Sequence, residues 1–128
     1  MFYIFSNQEE RRNHSGSAFI EIQFCKLPED CHIKKILESD SIKHWQNDSL
    51  YVSDESAFYK EYSQIFNCGV YNNLQRGTVD IYGVNYYEPF IINDITERLN
   101  EYKPTGYEVL TSWLEKAKEY NGFYILGI

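Results

Sequence analysis

The hydrophobic period changes several times along this chain, and each change predicts an element. Residues 79–87, Val-Asp-Ile-Tyr-Gly-Val-Asn-Tyr-Tyr, are rich in β-branched and aromatic side chains and read as a strand. Glu88-Pro89 stops it, because proline has no N–H to give to a ladder. A helical period follows: Ile92, Ile95, Leu99 and Tyr102 share one face, with Asp94 and Glu97 spaced as an N-terminal capping pair. Lys103-Pro104 ends that helix, since the residue before proline is pushed out of the α region. Residues 105–108 form a second capping box, and Val109, Leu110, Trp113, Leu114, Ala117 and Tyr120 make the apolar stripe of a second helix. Asn121-Gly122 closes it, glycine accepting the left-handed conformation of a helix end. Residues 123–128 are a wholly apolar run, most easily buried as a central strand beside the one around Ile81. Two helices joined by so short a link pack as a hairpin on one face of that sheet.

The first two thirds are less regular. Residues 1–5 are apolar and predict a strand, and residues 6–16 are polar and read as a loop or the turn of a wide hairpin. Residues 17–25 alternate: Ala18, Ile20, Ile22 and Phe24 face one way, Glu21 and Gln23 the other, which predicts a strand with one wet face and Phe19 as the exception. Leu27-Pro28-Glu29-Asp30 opens a helix whose buried face is Ile33, Ile36 and Leu37. Residues 38–47 are irregular, anchored by Trp45, and residues 49–52 are a short strand. Ser53-Asp54-Glu55 caps a third helix with Phe58, Tyr62, Ile65 and Phe66 inward, ended at Asn67-Cys68-Gly69. Residues 70–77 form a polar link. Strands and helices do not alternate regularly. The fold class is therefore α+β: a single domain over residues 1–128, with about four mostly antiparallel strands, three to four helices, a C-terminal helical hairpin and a buried final strand.

Composition narrows the chemistry. The net charge of −7 across 128 residues argues against a nucleic-acid binder, whose affinity rests on neutralising phosphates, and favours solubility or a basic partner. No run of apolar residues is long enough for a membrane span, and no basic region precedes residues 1–5 as in a signal peptide. Cys25, Cys31 and Cys68 are an odd set and read as reduced thiols, so the cytoplasm is the expected location. Twelve tyrosines exceed what a core of this size needs, which places some of them at the surface, where they serve interfaces.

No catalytic or metal motif emerges. Cys25, Cys31 and His32 lack the spacing and the fourth ligand of a zinc site. His14, His32 and His44 could supply acid and base chemistry on a nucleotide or RNA, with Arg11, Arg12 and Lys43 nearby, but their surroundings are acidic and would repel phosphate. Ser15-Gly16-Ser17 reads as a turn, without the setting of a nucleophile elbow. No cofactor is expected, and binding is favoured over catalysis. Two acidic-aromatic clusters remain as a candidate partner surface: Asp48, Tyr51, Asp54, Glu55, Tyr59 and Glu61, then Asp80, Tyr82, Tyr86 and Glu88. Carboxylates meet lysine and arginine, and tyrosines anchor.

The segment from Gly83-Val-Asn-Tyr-Tyr-Glu-Pro-Phe to Tyr124-Ile-Leu-Gly-Ile resembles the carboxy-terminal part of small bacterial immunity proteins paired with toxins of contact-dependent growth inhibition and related polymorphic toxin systems. The resemblance implies a cytosolic protein that neutralises a cognate toxin C-terminal domain, commonly a basic nuclease, by stoichiometric occlusion. It carries over no individual binding residue. A small enzyme and a generic protein–protein adaptor are the alternatives.

Overall fold

Ile125 pairs with Ile22 on one side and Asn85 on the other, so the apolar run near the end of the chain lies mid-sheet, as its composition predicts. The computed structural model describes residues 1–15 and 18–128; the turn read at Ser15-Gly16-Ser17 falls largely outside them. In chain order these residues form α1 (Gln8–Ser15), β1 (Ile20–Phe24), α2 (Ile33–Ile36), β2 (Leu50–Val52), α3 (Glu55–Tyr62), β3 (Gly69–Tyr71), β4 (Arg76–Gly77), β5 (Val84–Tyr87), α4 (Ile92–Tyr102), α5 (Tyr107–Ala117) and β6 (Phe123–Leu126). Single 3-10 turns sit at Ser39–Ser41 and Pro89–Ile91. The strands run in the order β2-β1-β6-β5-β3-β4, and every neighbouring pair is antiparallel. This is the expected α+β class with more elements than the four strands and three to four helices anticipated. The additional strands β3 and β4 are three and two residues long at the two ends of the polar link, β3 starting at Gly69, and are too short to show a period.

One face of the sheet carries Ile20, Ile22, Phe24, Leu50, Val52, Tyr87, Phe123 and Ile125 against α3, α4 and α5. Phe24 stacks on Trp113 at 4.0 Å, and the Trp113 indole donates to the Asp48 carbonyl at 2.9 Å. Neither hairpin helix uses the cap its sequence suggests. α4 begins after Ile91 and α5 after Gly106, both without a side-chain capping bond. A cap contributes ~1 kcal/mol and one fully buried Leu or Ile ~1.5–3 kcal/mol. Burial of Ile92, Ile95, Leu99, Leu110 and Leu114 therefore decides where these helices lie. α3 does take its predicted cap, Asp54 accepting from the Ala57 N–H at 3.0 Å.

The opposite face corrects one expectation. Glu21 and Gln23 are buried. The irregular segment 38–47, together with α2, folds across that face and supplies partners. The Glu21 carboxylate accepts from the Trp45 and Gln46 N–H groups at 2.7 and 3.0 Å, Ser49 at 2.7 Å, Gln23 at 2.9 Å and Tyr51 at 3.3 Å. The sheet thus has no wet face at β1. Residues 1–5 make only one bridge, Tyr3 to Tyr51, and the polar stretch expected as a loop is α1. The helix expected from Pro28 is a single turn, with His32 at its N-cap.

Candidate functional site

The strand predicted over residues 79–87 is shorter than its pattern, and the difference builds a surface feature. Only Val84–Tyr87 pairs as β5; residues 80–83 fold into a turn. Asn85, fully buried, holds that turn from beneath: its side-chain oxygen accepts from the Asp80 N–H at 2.9 Å and its amide donates to the Asp80 and Ile125 carbonyls at 2.8 and 3.0 Å. The Asp80 carboxylate in turn accepts from the Tyr82 N–H at 2.9 Å. Beyond β6, Gly127 and Ile128 donate to the Gly83 and Ile81 carbonyls at 2.8 and 3.0 Å. A Cβ on Gly127 would press within 2.6 Å of the Ile81 and Gly83 backbone, so this close approach requires glycine. The turn is fixed on every side, and Tyr82 stands out from it 73% exposed.

A hollow opens beside this turn. Its two adjoining parts share Tyr59 of α3 and Thr78. One part is bounded by Tyr71, Val79, Asp80, Ile81 and Tyr82, the other by Ser63, Gln64, Asn67, Arg98 and Tyr102. The exposed tyrosines of the described chain are Tyr59 (44%), Tyr82 (73%) and Tyr102 (56%), and all three line this one hollow. They come from α3, the 80–83 turn and the last residue of α4, elements brought together only by the fold.

The ten residues singled out in the sequence therefore divide. Tyr59, Asp80 and Tyr82 meet at the hollow. Tyr51 and Tyr86 are corrections: both are buried, Tyr51 under the Glu21 network and Tyr86 donating to the Asn121 carbonyl at 2.7 Å. Desolvation raises the phenol pKa of each above its ordinary value. Several carboxylates already have intramolecular partners. Asp48 pairs with Lys26 at 2.8 Å, and Glu88 pairs in bidentate fashion with Arg76. Glu61 accepts from the Thr105 hydroxyl and N–H at 2.7 and 3.0 Å, bonds that hold its pKa below the usual carboxylate range. Asp54 is the α3 cap, and Glu55 is half-exposed in that helix's first turn.

Sequence reasoning missed Tyr71, Arg98 and Tyr102. The helical spacing puts Tyr102 on the same face as Ile92, Ile95 and Leu99, yet it is 56% exposed at the end of α4. The available signal was its i, i+4 spacing from Arg98, which puts both on one side of that helix. Arg98 donates from Nε and Nη2 to the Ile65 carbonyl at 3.1 and 3.0 Å, tying α4 to the end of the α3 segment.

The residues of the enzymatic and metal alternatives sit on separate segments of the fold. His14 packs 4.2 Å from the Tyr3 ring, beside a second hollow that Glu9 and Glu10 make acidic. His32 accepts from the Lys34 N–H at 3.2 Å, and His44 is exposed in the segment 38–47. Cys25 lies 3.6 Å from the Tyr124 hydroxyl, and burial raises its thiol pKa. Among the described residues no three His, Cys, Asp or Glu side chains are grouped as a metal would need, and no helix is long and apolar enough to cross a membrane. No protein-family model matches this chain, and no curated protein or solved structure matches it.

Proposed function

We propose that this chain is a cytosolic immunity protein that binds the basic C-terminal domain of a cognate toxin, a nuclease, and blocks it by stoichiometric occlusion. The observation that carries this reading is the convergence of every exposed tyrosine of the described chain, with Asp80, on one hollow of a protein of net charge −7. Tyrosine anchors seated in a partner contribute about 2 kcal/mol each when central to an interface. Acidic charge speeds the encounter with a basic domain and repels nucleic acid from the same surface. A nuclease cleft is basic because it holds phosphates, and a carboxylate-bearing surface competes for it. The resemblance of residues 83–128 to immunity proteins supplies the toxin as the partner class.

Growth is the test. The toxin domain encoded beside this chain, expressed alone, should arrest the cell, and coexpression of this chain should restore growth. Purified, the two should form a one-to-one complex whose association slows as salt is raised. Arrest that coexpression does not relieve, or the lack of any adjacent toxin frame, overturns the reading.

A further inference from the structure

We propose that the tyrosine hollow is a bipolar groove that takes one extended segment of a partner protein, with a basic side chain at Asp80 and an acidic group at Arg98. This deepens the reading above and rests on it only in treating the hollow as a binding surface.

The two parts of the hollow carry opposite charges. Asp80 belongs to one and Arg98 to the other, with Tyr59 and Thr78 between them. Neither charge has a counter-ion among the described residues. The ion pairs there are Lys26–Asp48, Arg76–Glu88 and Lys118–Glu115. Both groups are nevertheless held in place. Asp80 is fixed by its bond to the Tyr82 N–H, and Arg98 by its two bonds to Ile65 and a 3.4 Å contact from Nη2 to the Cys68 sulfur. Those bonds spend Nε and Nη2 and leave Nη1 for an incoming acceptor.

Charges fixed in advance and lacking a partner suit recognition, because binding need not first break an internal ion pair or order the side chains. The tyrosines fit the same occupant. A lysine or arginine reaching Asp80 passes Tyr82 and Tyr71, whose ring faces attract cations. Toward Arg98 the walls turn polar, with Ser63, Gln64 and Asn67 offering hydrogen bonds to a segment's backbone. A segment entering in the reverse direction would bring like charges together at both ends. The order of its basic and acidic residues therefore fixes the direction in which it runs. A nucleic-acid strand, uniformly negative, would be repelled at the Asp80 end.

Random short peptides displayed on phage are the probe, panned against the intact protein. The expected winners carry a lysine or arginine and an aspartate or glutamate in one consistent order. Their binding should fall about tenfold or more in Asp80→Asn and in Tyr82→Ala. Asparagine can still accept from the Tyr82 N–H, so Asp80→Asn removes the charge and keeps the turn. Tyr82 is exposed enough that its truncation should leave the melting temperature unchanged, which a thermal scan verifies. Winners without a basic residue, winners with the two charges in either order, winners indifferent to both substitutions, or no enrichment at all would each overturn the proposal. Growth rescue without groove-dependent peptides leaves the immunity reading standing and removes this one; groove-dependent peptides without rescue do the reverse.

Discussion

Glu21 lies on the side of β1 that alternation assigns to water, yet it is buried with donors from Gln23, Trp45, Gln46, Ser49 and Tyr51 around it. Alternation reports what one strand offers, not what a distant segment later lays over it, so this face was not legible locally. Glu21→Ala takes the acceptor from the Trp45 N–H and from the buried Ser49 hydroxyl, whereas Gln46 and Tyr51 keep each other as partners, and should cost ~2–3 kcal/mol in urea unfolding. Tyr87 presents the opposite case. Its ring stacks on Phe123 at 4.7 Å, but its hydroxyl is buried with no partner among the described residues. Tyr87→Phe removes an unpaired polar group and keeps the stack. Stability should hold or rise by up to ~1 kcal/mol in the same measurement; a clear loss would mean that the hydroxyl is satisfied in solution.

Elements differ in how plainly they announce themselves. α4 and α5 were legible because each buries one stripe against a sheet, and a stripe at helical spacing survives any local detail. The stripe expected for α5 is too wide at both ends: Leu110, Trp113, Leu114 and Ala117 are buried, while Val109 is 47% exposed and Tyr120 lies past the helix, half-buried. Leu114→Ala should therefore cost ~2–5 kcal/mol, and Val109→Ala less than ~0.5 kcal/mol, both read from denaturant midpoints at constant slope. α1 was not legible, because its sequence has no apolar stripe. Local bonds hold it instead, among them Glu10 N–H to Asn7 at 2.8 Å and Arg12 to Gln8 at 3.1 Å. The 80–83 turn was hidden for a different reason. Its residues are good strand formers, and only the buried Asn85 side chain beneath them bends the chain. The candidate site follows the same logic. Sequence proximity grouped tyrosines along one element, whereas the hollow collects them across three.

At the scale of the molecule, the aromatic excess is divided between core and surface. Tyr51, Tyr62, Tyr86, Tyr87 and Tyr124 are buried, and desolvation raises the pKa of every one of them. Each stays protonated in the folded state at pH values where the unfolded chain, titrating near pH ~10, releases its proton. Folding stability is thus intact below pH ~10 and falls above it, by up to ~1.4 kcal/mol per pH unit for each such phenol. An alkaline series of melting temperatures should show this decline, with tyrosinate absorbance from these five appearing together with loss of structure. Melting temperatures flat well past that pH would contradict it. The position of β6 has a consequence in time. β1 and β5 touch only through it, so the sheet is two separate pieces until Phe123–Leu126 arrives. Pairing Ile22 with Ile125 closes a loop over most of the chain, and such non-local pairings slow folding. During that interval β1 and β5 each present an open ladder edge, able to pair with the wrong strand of another copy. Both open edges border the gap that β6 fills, so the strand that completes the sheet also removes its two most exposed ladders.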